Sequence, residues 1–370
     1  MLIGVPKEIK NHEYRVGLTP LSVREMIRNG HEVWVETRAG EGIGAADADY
    51  VKAGARIIPT AAEVFAKADM IVKVKEPQAG ERKMLREGQI LYTYLHLAPD
   101  PEQTRDLVKS GAVCIAYETV TNARGGLPLL APMSQVAGRM SVQSGAHCLE
   151  KAQGGRGVLL GGVPGVAKGK VVILGGGVVG TNAAAMALGL GADVTIIEKS
   201  TDRMEELVAR FGTGVKTLYS TQGTIEDECA EADLVIGGVL IPGAAAPKLI
   251  TKAMLKDWKP GAVLVDVAID QGGCAETSRA TTHADPTYVV DGVIHYCVAN
   301  MPGGVARTST FALNNATLPF GLAIANKGWK QALKDDGHLK NGLNVAFGKV
   351  TYKAVADDLD YKYVAADTLL

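Results

Sequence analysis

Cysteine is scarce in this chain, and the few cysteines are scattered. They are Cys114, Cys148, Cys229, Cys274 and Cys297, with no C-x-x-C pair among them. An odd number of widely spaced cysteines argues against a disulfide framework and against a zinc site. The sequence therefore predicts reduced thiols, a cytoplasmic location and no bound metal.

Long apolar runs and an excess of either charge are also lacking. No run of 18 apolar residues occurs, so a membrane-spanning helix is not expected. Lys and Arg number 39 and Asp and Glu number 40, which leaves a net charge of -1 and no basic excess for nucleic acid. The N-terminus, MLIGVPKEIK, does not have the pattern of a signal peptide. We expect a globular protein whose partners are small molecules.

Glycine is abundant, with 44 residues, and patterns of strand and helix alternate along the chain. The 370 residues allow two domains of ordinary size. The first helix is predicted from Thr19 as its cap, Pro20 at its first position and Gly30 after its last turn. The strand patterns lie at 2–5, 32–36, 69–77, 90–95 and 112–118. Such alternation predicts a parallel, doubly wound α/β sheet.

A second series of strands and helices begins at Lys170, after a long helical segment at 134–155. Its strand regions are KVVILGGGVVG, DVTIIEKS, DLVIGGVL, AVLVDVAIDQGG and GVIHYCVANMPGG. After Gly304 the pattern is helical, without a comparable series of strands. We therefore predict two doubly wound α/β domains. The first is discontinuous and spans 1–130 and 304–370, and the second spans 131–303.

The most informative segment runs from Val171 to Glu198. Gly175, Gly177 and Gly180 form G-x-G-x-x-G between a strand and a helix. In a dinucleotide-binding turn, these glycines permit the tight bend, the approach of a pyrophosphate and close packing of the helix. A turn that only packs is the alternative reading. The order of strand, glycines, helix, strand and acid favours nucleotide binding.

The acid of this motif is Glu198, which closes the second strand. A carboxylate there accepts hydrogen bonds from the ribose hydroxyls and repels a 2′-phosphate. This favours NAD as the cofactor. Two nearby cations, Lys199 and Arg203, keep NADP open as an alternative.

Polar residues at predicted strand ends are candidates for chemistry, because open α/β sheets bind ligands at the carboxyl ends of their strands. His96 ends the strand ILYTYL, where a proton donor and a packed core histidine are both plausible. Lys73 and Lys75 share one face of their predicted strand. Lys75 is nearer the end of the strand, with a solvated edge-strand lysine as the alternative. Asp270 is predicted at a strand tip, where a turn cap is the alternative.

Four further polar residues belong to the same analysis. Arg15 lies in a loop, where a guanidinium is either solvated or holds a carboxylate with two bonds. Asp266 lies inside an apolar run and is interpreted as a structural hydrogen-bonding residue. His295 and Cys297 are expected in or near the core.

Several of these stretches together resemble the L-alanine dehydrogenase family. They are GVPKEIKNHEYRVGLTP, VKVKEP, YLHLAPD, MSQVAGRMSVQ, GGVPGV, GGGVVGTNAA, DVAIDQGG and VANMPGGVARTST, spread almost from end to end. The same superfamily includes the NAD-binding part of proton-translocating transhydrogenase. One departure is Glu198, where many relatives carry aspartate.

The resemblance implies NAD-dependent, reversible oxidative deamination of L-alanine to pyruvate and ammonium by a homohexamer. It implies two Rossmann-like domains with a cleft between them, and the cofactor held mainly by the second. His96 and Asp270 would be catalytic, and Arg15 and Lys75 would hold the substrate. Besides the motif glycines and Glu198, the residues implied around the cofactor are Ser134, Val178, Val179, Arg203, Ser220, Val239, Leu240, Val267, Ala268, Ile269, Asp270, Arg279, Val298, Asn300 and Met301.

Two other functions stay open at this point. A transhydrogenase-like NAD(H)-binding subunit would pass hydride to another nucleotide and would not need Arg15, Lys75 and His96. A non-catalytic NAD(H)-sensing protein would bind NADH and turn nothing over. Oxidation of NADH by pyruvate and ammonium separates the enzyme from both alternatives.

Overall fold

The computed structural model describes residues 1–239 and 246–370. Leu240, one of the residues implied around the cofactor, lies outside these ranges. The chain divides into two compact units: unit 1 is Met1–Met133 with Gly303–Leu370, and unit 2 is Ser134–Pro302. Each unit is an α/β domain with a mainly parallel sheet, and unit 1 is discontinuous in sequence. The predicted α/β fold class is confirmed.

The described strands and helices are numbered in chain order. The strands are β1 (Leu2–Val5), β2 (Glu32–Glu36), β3 (Arg56–Ile58), β4 (Met70–Val72), β5 (Ile90–Thr93), β6 (Val113–Ala116), β7 (Lys170–Leu174), β8 (Asp193–Glu198), β9 (Val215–Tyr219), β10 (Leu234–Gly237), β11 (Val263–Asp266), β12 (Thr287–Val290), β13 (Val293–Tyr296), β14 (Leu343–Ala346) and β15 (Lys349–Val350). The α-helices are α1 (Pro20–Arg28), α2 (Asp47–Ala53), α3 (Ala61–Lys67), α4 (Ala79–Arg82), α5 (Pro101–Ser110), α6 (Ala131–Cys148), α7 (Val178–Gly189), α8 (Thr201–Phe211), α9 (Gln222–Ala230), α10 (Ala306–Lys327), α11 (Trp329–Asp335), α12 (Gly337–Lys340) and α13 (Lys353–Asp358). Within the described ranges, no helix combines the length and the apolarity needed to cross a membrane.

Unit 1 is built around a sheet with the strand order β15-β14-β6-β5-β4-β1-β2-β3. The strands from β6 to β3 are parallel, and β14 and β15 extend one edge in antiparallel orientation. All residues of β5 and β6 are buried, which is typical of parallel strands covered on both faces. The two added strands were not predicted, because they are only four and two residues long and follow a helical region.

Helix α1 of unit 1 forms where its local signals predict it. The Thr19 hydroxyl accepts a hydrogen bond from the Ser22 N–H at 3.2 Å, and Pro20 occupies the first helical position. Val23 and Met26 on its apolar side are buried. Gly30 follows with a φ of 83°, a conformation that glycine adopts without strain.

Unit 2 is built around described strands in the order β12-β13-β11-β10-β7-β8-β9. All neighbouring pairs are parallel except β12 with β13. Alternate residues of β7 enter two different core clusters, Val171 and Ile173 on one face and Val172 and Leu174 on the other. Read from β9 to β13, the parallel strands follow the order 3-2-1-4-5-6 of a dinucleotide-binding fold.

Three predicted strand ends are wrong. β4 ends at Val72, so Lys73 and Lys75 lie beyond the strand and not on one of its faces. β5 ends at Thr93, so His96 lies three positions past the strand. β11 ends at Asp266, and Asp270 lies in a 3₁₀ turn over Val267–Gln271 and not at a strand tip.

Carboxylate side chains explain these early ends, because they bind backbone N–H groups of the segments after the strands. Glu8 accepts hydrogen bonds from the N–H groups of Val74 and Lys75. Glu118 accepts a hydrogen bond from the His96 N–H at 2.6 Å. Asp266 accepts from the Ala268 N–H at 3.1 Å, which starts the 3₁₀ turn. The apolar pattern continues past each strand, while regular strand geometry does not. Between the segments after β4 and β5, backbone hydrogen bonds still join Lys73 N–H to the Tyr92 oxygen and Tyr94 N–H to the Val74 oxygen, each at 3.2 Å.

Candidate functional site

The three substrate and acid–base candidates of unit 1 follow neighbouring strands of its sheet. Arg15 lies in the segment after β1, Lys75 follows β4 and His96 follows β5. β1 pairs with β4, and β4 pairs with β5, all in parallel orientation. The carboxyl ends of parallel neighbours form one edge of a sheet, so the three residues share this edge.

Arg15 is a fixed, buried cation and not a solvated loop residue. Its side chain is 2% exposed, and Glu13 accepts hydrogen bonds from Nε at 2.7 Å and from Nη2 at 2.5 Å. Nη1 donates to the Met133 sulfur at 3.1 Å. Burial alone would lower the pKa of Arg15, but the hydrogen bonds and charge of Glu13 outweigh burial and raise this pKa. Such a bidentate pair fixes the plane of the guanidinium.

Lys75 and His96 converge on Glu76, which the sequence analysis did not select. Glu76 Oε2 lies 3.7 Å from Lys75 Nζ and 3.8 Å from His96 Nδ1, and Lys10 forms an ion pair with Oε1. Burial alone would raise the pKa of Glu76, but His96, Lys75 and Lys10 outweigh burial and lower this pKa well below its usual value. Glu76 is therefore an ionised carboxylate between these side chains.

His96 is held by its backbone and by its ring. Its N–H donates to Glu118, and its φ of 48° lies in the left-handed region, where strain persists only if neighbours fix it. The imidazole stacks on Tyr94, with ring centroids 5.7 Å apart and planes at 25°. The side chain is 41% exposed, which excludes the reading as a packed core histidine.

Lys73 has a structural role. Its fully buried ammonium pairs with Glu8 at 3.0 Å and with Glu81 at 2.7 Å. Because Glu8 also binds the backbone N–H groups of Val74 and Lys75, this buried pair anchors the segment that presents Lys75. The alternative of a solvated edge-strand lysine is wrong, since β4 lies between β1 and β5.

Most of the residues implied around the cofactor lie at the carboxyl ends of the parallel strands of unit 2. They are Gly175 after β7, Glu198 at the end of β8, Ser220 after β9, Val239 after β10, Val267, Ala268, Ile269 and Asp270 after β11, and Val298, Asn300 and Met301 after β13. The strand pairing brings these positions to one edge of the sheet. Ser134, Arg203 and Arg279 come from α6, α8 and the loop before β12.

The glycine turn between β7 and α7 has the shape that an anion site needs. Gly175 has a φ of 91°, and a Cβ atom at Gly180 would lie 1.9 Å from the Gly175 oxygen. A Cβ atom at Gly177 would meet nothing within 4 Å. Gly177 caps α7 without a side chain, so the N–H groups of the first turn, at Val178 and Val179, suit an outside anion. The turn fits a nucleotide pyrophosphate.

The Glu198 carboxylate already accepts hydrogen bonds from backbone N–H groups of the same region. Its Oε2 accepts a hydrogen bond from the Gly176 N–H at 2.7 Å, and its Oε1 accepts from Lys199 at 2.7 Å and Ser200 at 3.0 Å. A carboxylate offers about four acceptor positions. One acceptor position on Oε2 therefore remains for a ribose hydroxyl. The expectation was that Glu198 accepts hydrogen bonds from both ribose hydroxyls.

Arg203 braces the glycine turn. Its Nε donates to the Gly176 oxygen at 2.7 Å and its Nη2 to the Thr181 hydroxyl at 2.8 Å, and it forms an ion pair with Glu206. These bonds occupy the guanidinium that would otherwise attract a 2′-phosphate. The arrangement of Arg203 and Glu198 favours NAD.

The two aspartates near the end of β11 differ in their surroundings. Asp266 is fully buried and accepts hydrogen bonds from the Cys274 N–H at 2.8 Å and from the Ser278 hydroxyl. Its interpretation as a structural hydrogen-bonding residue is confirmed. Asp270 is exposed. His295 and Cys297 are buried, as expected for core residues.

The sequence analysis did not identify the glutamates that position Arg15, Lys75 and His96. Glu13 and Glu76 stand within two positions of Arg15 and Lys75, a local signal that could have found them. Glu8 and Glu118 lie 67 and 22 positions from the backbone groups of Lys75 and His96 that they bind. Such distant pairs leave no local signal.

We predict that Gly180→Ala weakens NADH binding at least tenfold, a cost of about 1.4 kcal/mol. The added methyl group would meet the Gly175 oxygen and distort the glycine turn. Fluorescence titration with NADH measures the effect. Gly189→Ala is the matched control, because it lies in the same helix and its Cβ would meet nothing within 4 Å. Equal affinities of the two variants would contradict the role of the turn.

Comparisons with known proteins identify the family of this chain. The family models described as alanine dehydrogenase/PNT match residues 4–137 with the N-terminal domain and residues 141–353 with the C-terminal domain. An alanine dehydrogenase of Halomonas elongata is 63% identical over 370 residues, with 100% of both chains covered. A solved L-alanine dehydrogenase structure has a TM-score of 0.94 and 54% identity, covering 97% of this chain and 99% of that chain. A transhydrogenase structure from Sinorhizobium meliloti has a TM-score of 0.82 and 27% identity, covering 96% and 100%. This chain therefore belongs to the alanine dehydrogenase/PNT family.

Proposed function

We propose that this protein catalyses the reaction L-alanine + NAD⁺ + H₂O ⇌ pyruvate + NH₄⁺ + NADH + H⁺. The observation that carries the proposal is the set of Arg15, Lys75 and His96 at one sheet edge of unit 1. These groups provide a cation for a carboxylate, a second cation and an acid–base group. Membership of the alanine dehydrogenase/PNT family supports the same reaction.

The residues suited to holding NAD lie in unit 2. The glycine turn and the first turn of α7 offer N–H groups to the pyrophosphate, and Glu198 offers a carboxylate to the ribose. When bound, NAD⁺ supplies the hydride acceptor. Ser134, Ser220, Val239, Arg279, Asn300 and Met301 complete the proposed cofactor site by family resemblance.

Arg15 and Lys75 would hold the substrate carboxylate. Because Glu13 accepts from Nε and from one N–H of Nη2, the carboxylate is expected to bind on the side of the guanidinium that faces away from Glu13. The thioether of Met133 now accepts from Nη1, and a thioether is a weak acceptor that a carboxylate displaces. Lys75 adds a second positive charge. Positioning of this kind can contribute several kcal/mol, up to about 7–11 in ideal cases.

His96 is proposed to exchange protons with the amine and with water. An imidazole suits this task near neutral pH. The carboxylate of Glu76 near Nδ1 favours a proton on that nitrogen, which leaves Nε2 for the exchange. In unit 2, the exposed carboxylate of Asp270 is suited to orient water or the amine and to stabilise a cationic imine.

The two alternative functions have less support. The transhydrogenase structure is 27% identical, compared with 63% for the Halomonas elongata relative. A hydride exchange between nucleotides gives no use for Arg15, Lys75 and His96. A sensing protein likewise does not need an acid–base group beside two cations.

The cellular setting and assembly follow the same reasoning. We infer a cytoplasmic, reducing location, because all five cysteines are buried free thiols. We also infer a homo-oligomer, a hexamer by family resemblance. Leu159, Val163 and Val166 support an association surface, since each is more than half exposed.

The decisive assay follows NADH oxidation with pyruvate and ammonium, and NAD⁺ reduction with L-alanine. We predict activity in both directions, with kcat/KM for NADPH at least tenfold lower than for NADH, or about 1.4 kcal/mol. Glu198 disfavours the 2′-phosphate, which explains this difference. Other small 2-oxo acids define the size limit of the substrate. A chain that binds NADH and turns nothing over would support the sensing protein instead.

A further inference from the structure

The loop that carries Asp270 needs a source of rigidity other than the sheet. This segment, the Asp270 loop, spans 267–278. It leaves β11 through the 3₁₀ turn and passes through Gly272 and Gly273, whose φ angles are 88° and 78°. A group that positions a reacting atom must be held to about 0.5 Å. Two side chains bind this loop from different parts of unit 2.

The first is Asp266, which binds the loop from the buried side. Its Oδ1 accepts a hydrogen bond from Ala268, and its Oδ2 accepts from Cys274 and Ser278. One buried carboxylate therefore ties the beginning, the middle and the end of the loop together.

The second is Lys248, whose ammonium binds three backbone carbonyl oxygens of the loop. Nζ donates to the oxygens of Gly272 at 2.5 Å, Gly273 at 2.8 Å and Ala275 at 3.1 Å. An ammonium has three protons, so its full donor capacity is used on this loop. The carbonyls follow the C-terminal end of the 3₁₀ turn, where aligned peptide dipoles favour a cation.

Backbone hydrogen bonds place Lys248 opposite these carbonyls. The Ala246 N–H donates to the Gln271 oxygen at 3.0 Å, and the Leu249 N–H donates to the Cys274 oxygen at 2.8 Å. Lys248 lies between these two contacts in sequence. The segment 246–250 therefore runs alongside the loop. This places the Lys248 ammonium within hydrogen-bonding distance of the loop carbonyls.

We propose that Lys248 is a positioning residue for Asp270, and that it holds the Asp270 loop in the conformation in which the carboxylate works. This inference rests on the proposed function. Lys248 acts through the loop backbone and not on the reacting atoms. Three carbonyls need several donors at one point, which arginine can supply and methionine cannot.

The test compares Lys248→Met and Lys248→Arg with the matched control Lys259→Met. Lys259 also lies in unit 2, but its ammonium binds a single residue, Glu231, through the carbonyl oxygen at 2.5 Å and the carboxylate at 3.5 Å. The measurements are amide hydrogen exchange over 267–278, NADH affinity, and kcat and KM for alanine. We expect Lys248→Met to speed exchange in the loop and to lower kcat roughly 10- to 100-fold. NADH affinity should also fall, because Val267, Ala268 and Ile269 of the same loop are implied around the cofactor, but by less than kcat. Lys248→Arg should restore most of the exchange protection and most of kcat.

Several results would overturn the proposal. They are unchanged loop exchange in Lys248→Met, an equal loss of kcat in Lys259→Met, or an arginine variant no better than methionine. A failure of the proposed function is distinguishable, because the unsubstituted protein would then not reduce NAD⁺ with alanine. The exchange data would still report whether Lys248 fixes the loop.

Discussion

Arg15→Met is expected to raise the KM for alanine and for pyruvate at least about 30-fold. Loss of a buried, hydrogen-bonded charge partner costs about 2–5 kcal/mol, and 1.4 kcal/mol corresponds to a factor of ten. The same change leaves the Glu13 carboxylate buried without its guanidinium. We therefore also expect the free energy of unfolding to fall by about 3–5 kcal/mol. Steady-state kinetics and denaturant unfolding measure the two effects separately.

A double variant distinguishes substrate binding from stability. Glu13→Gln combined with Arg15→Met removes the buried charge as well as its partner. The double variant should therefore regain much of the free energy of unfolding, while its KM should stay as high as in Arg15→Met. The matched control is Arg28→Met, whose exposed pair with Glu25 at 2.8 Å is worth less than about 1 kcal/mol. A KM in the double variant close to that of the unsubstituted protein would show that Arg15 does not bind the substrate.

His96→Gln is expected to lower kcat by about 10²–10⁴, the usual range for loss of an acid–base group. Glutamine keeps hydrogen-bonding capacity but cannot exchange a proton near neutral pH. NADH affinity should stay close to that of the unsubstituted protein, because the proposed nucleotide residues belong to unit 2. Stopped-flow turnover and NADH titration on the same preparation measure both quantities.

Two further variants make the His96 result specific. Glu76→Gln keeps the imidazole but removes the carboxylate 3.8 Å from Nδ1, and it should cause a smaller loss of kcat than His96→Gln. His147→Gln is the control, because His147 pairs with Glu150 at 3.4 Å while both are 60% exposed. Near-normal kcat in His96→Gln, or an equal loss in His147→Gln, would refute the assignment.

Both predictions depend on glutamates that position the functional side chains. In unit 1, Glu13 fixes the guanidinium of Arg15, Glu76 lies between Lys75 and His96, and Glu118 fixes the backbone of His96. Side chains held in this way lose little freedom when a substrate binds, which favours catalysis. Each glutamate is therefore part of the proposed site, although none is expected to react.

The nucleotide turn shows what can be predicted from sequence. Gly175, Gly177, Gly180 and Glu198 lie within one strand, one helix and the next strand. Each requirement of the turn is local: a left-handed φ at Gly175, an open Cβ position at Gly177 and close packing at Gly180. Because neighbouring residues decide these features, the sequence pattern and the structure agree.

Lys75, His96 and Asp270 show where prediction from the sequence fails. Their apolar surroundings predict strands that continue to them, yet each lies beyond the end of its strand. Even the Glu198 prediction changed, because backbone N–H groups occupy most of its acceptor positions. In these places, hydrogen bonds to backbone groups decide the local conformation, and apolar periodicity does not register them.

The sequence by itself determined the α/β alternation, the glycine turn and the residue types available for chemistry, because these depend on short-range propensities and spacing. Only the tertiary structure decided where strands end and which carboxylate meets which cation. Glu8 and Val74 are 66 positions apart, and their hydrogen bond forms only when β1 and β4 pair in the folded sheet. Long-range pairing of this kind depends on the whole fold, so no single stretch of the chain encodes it.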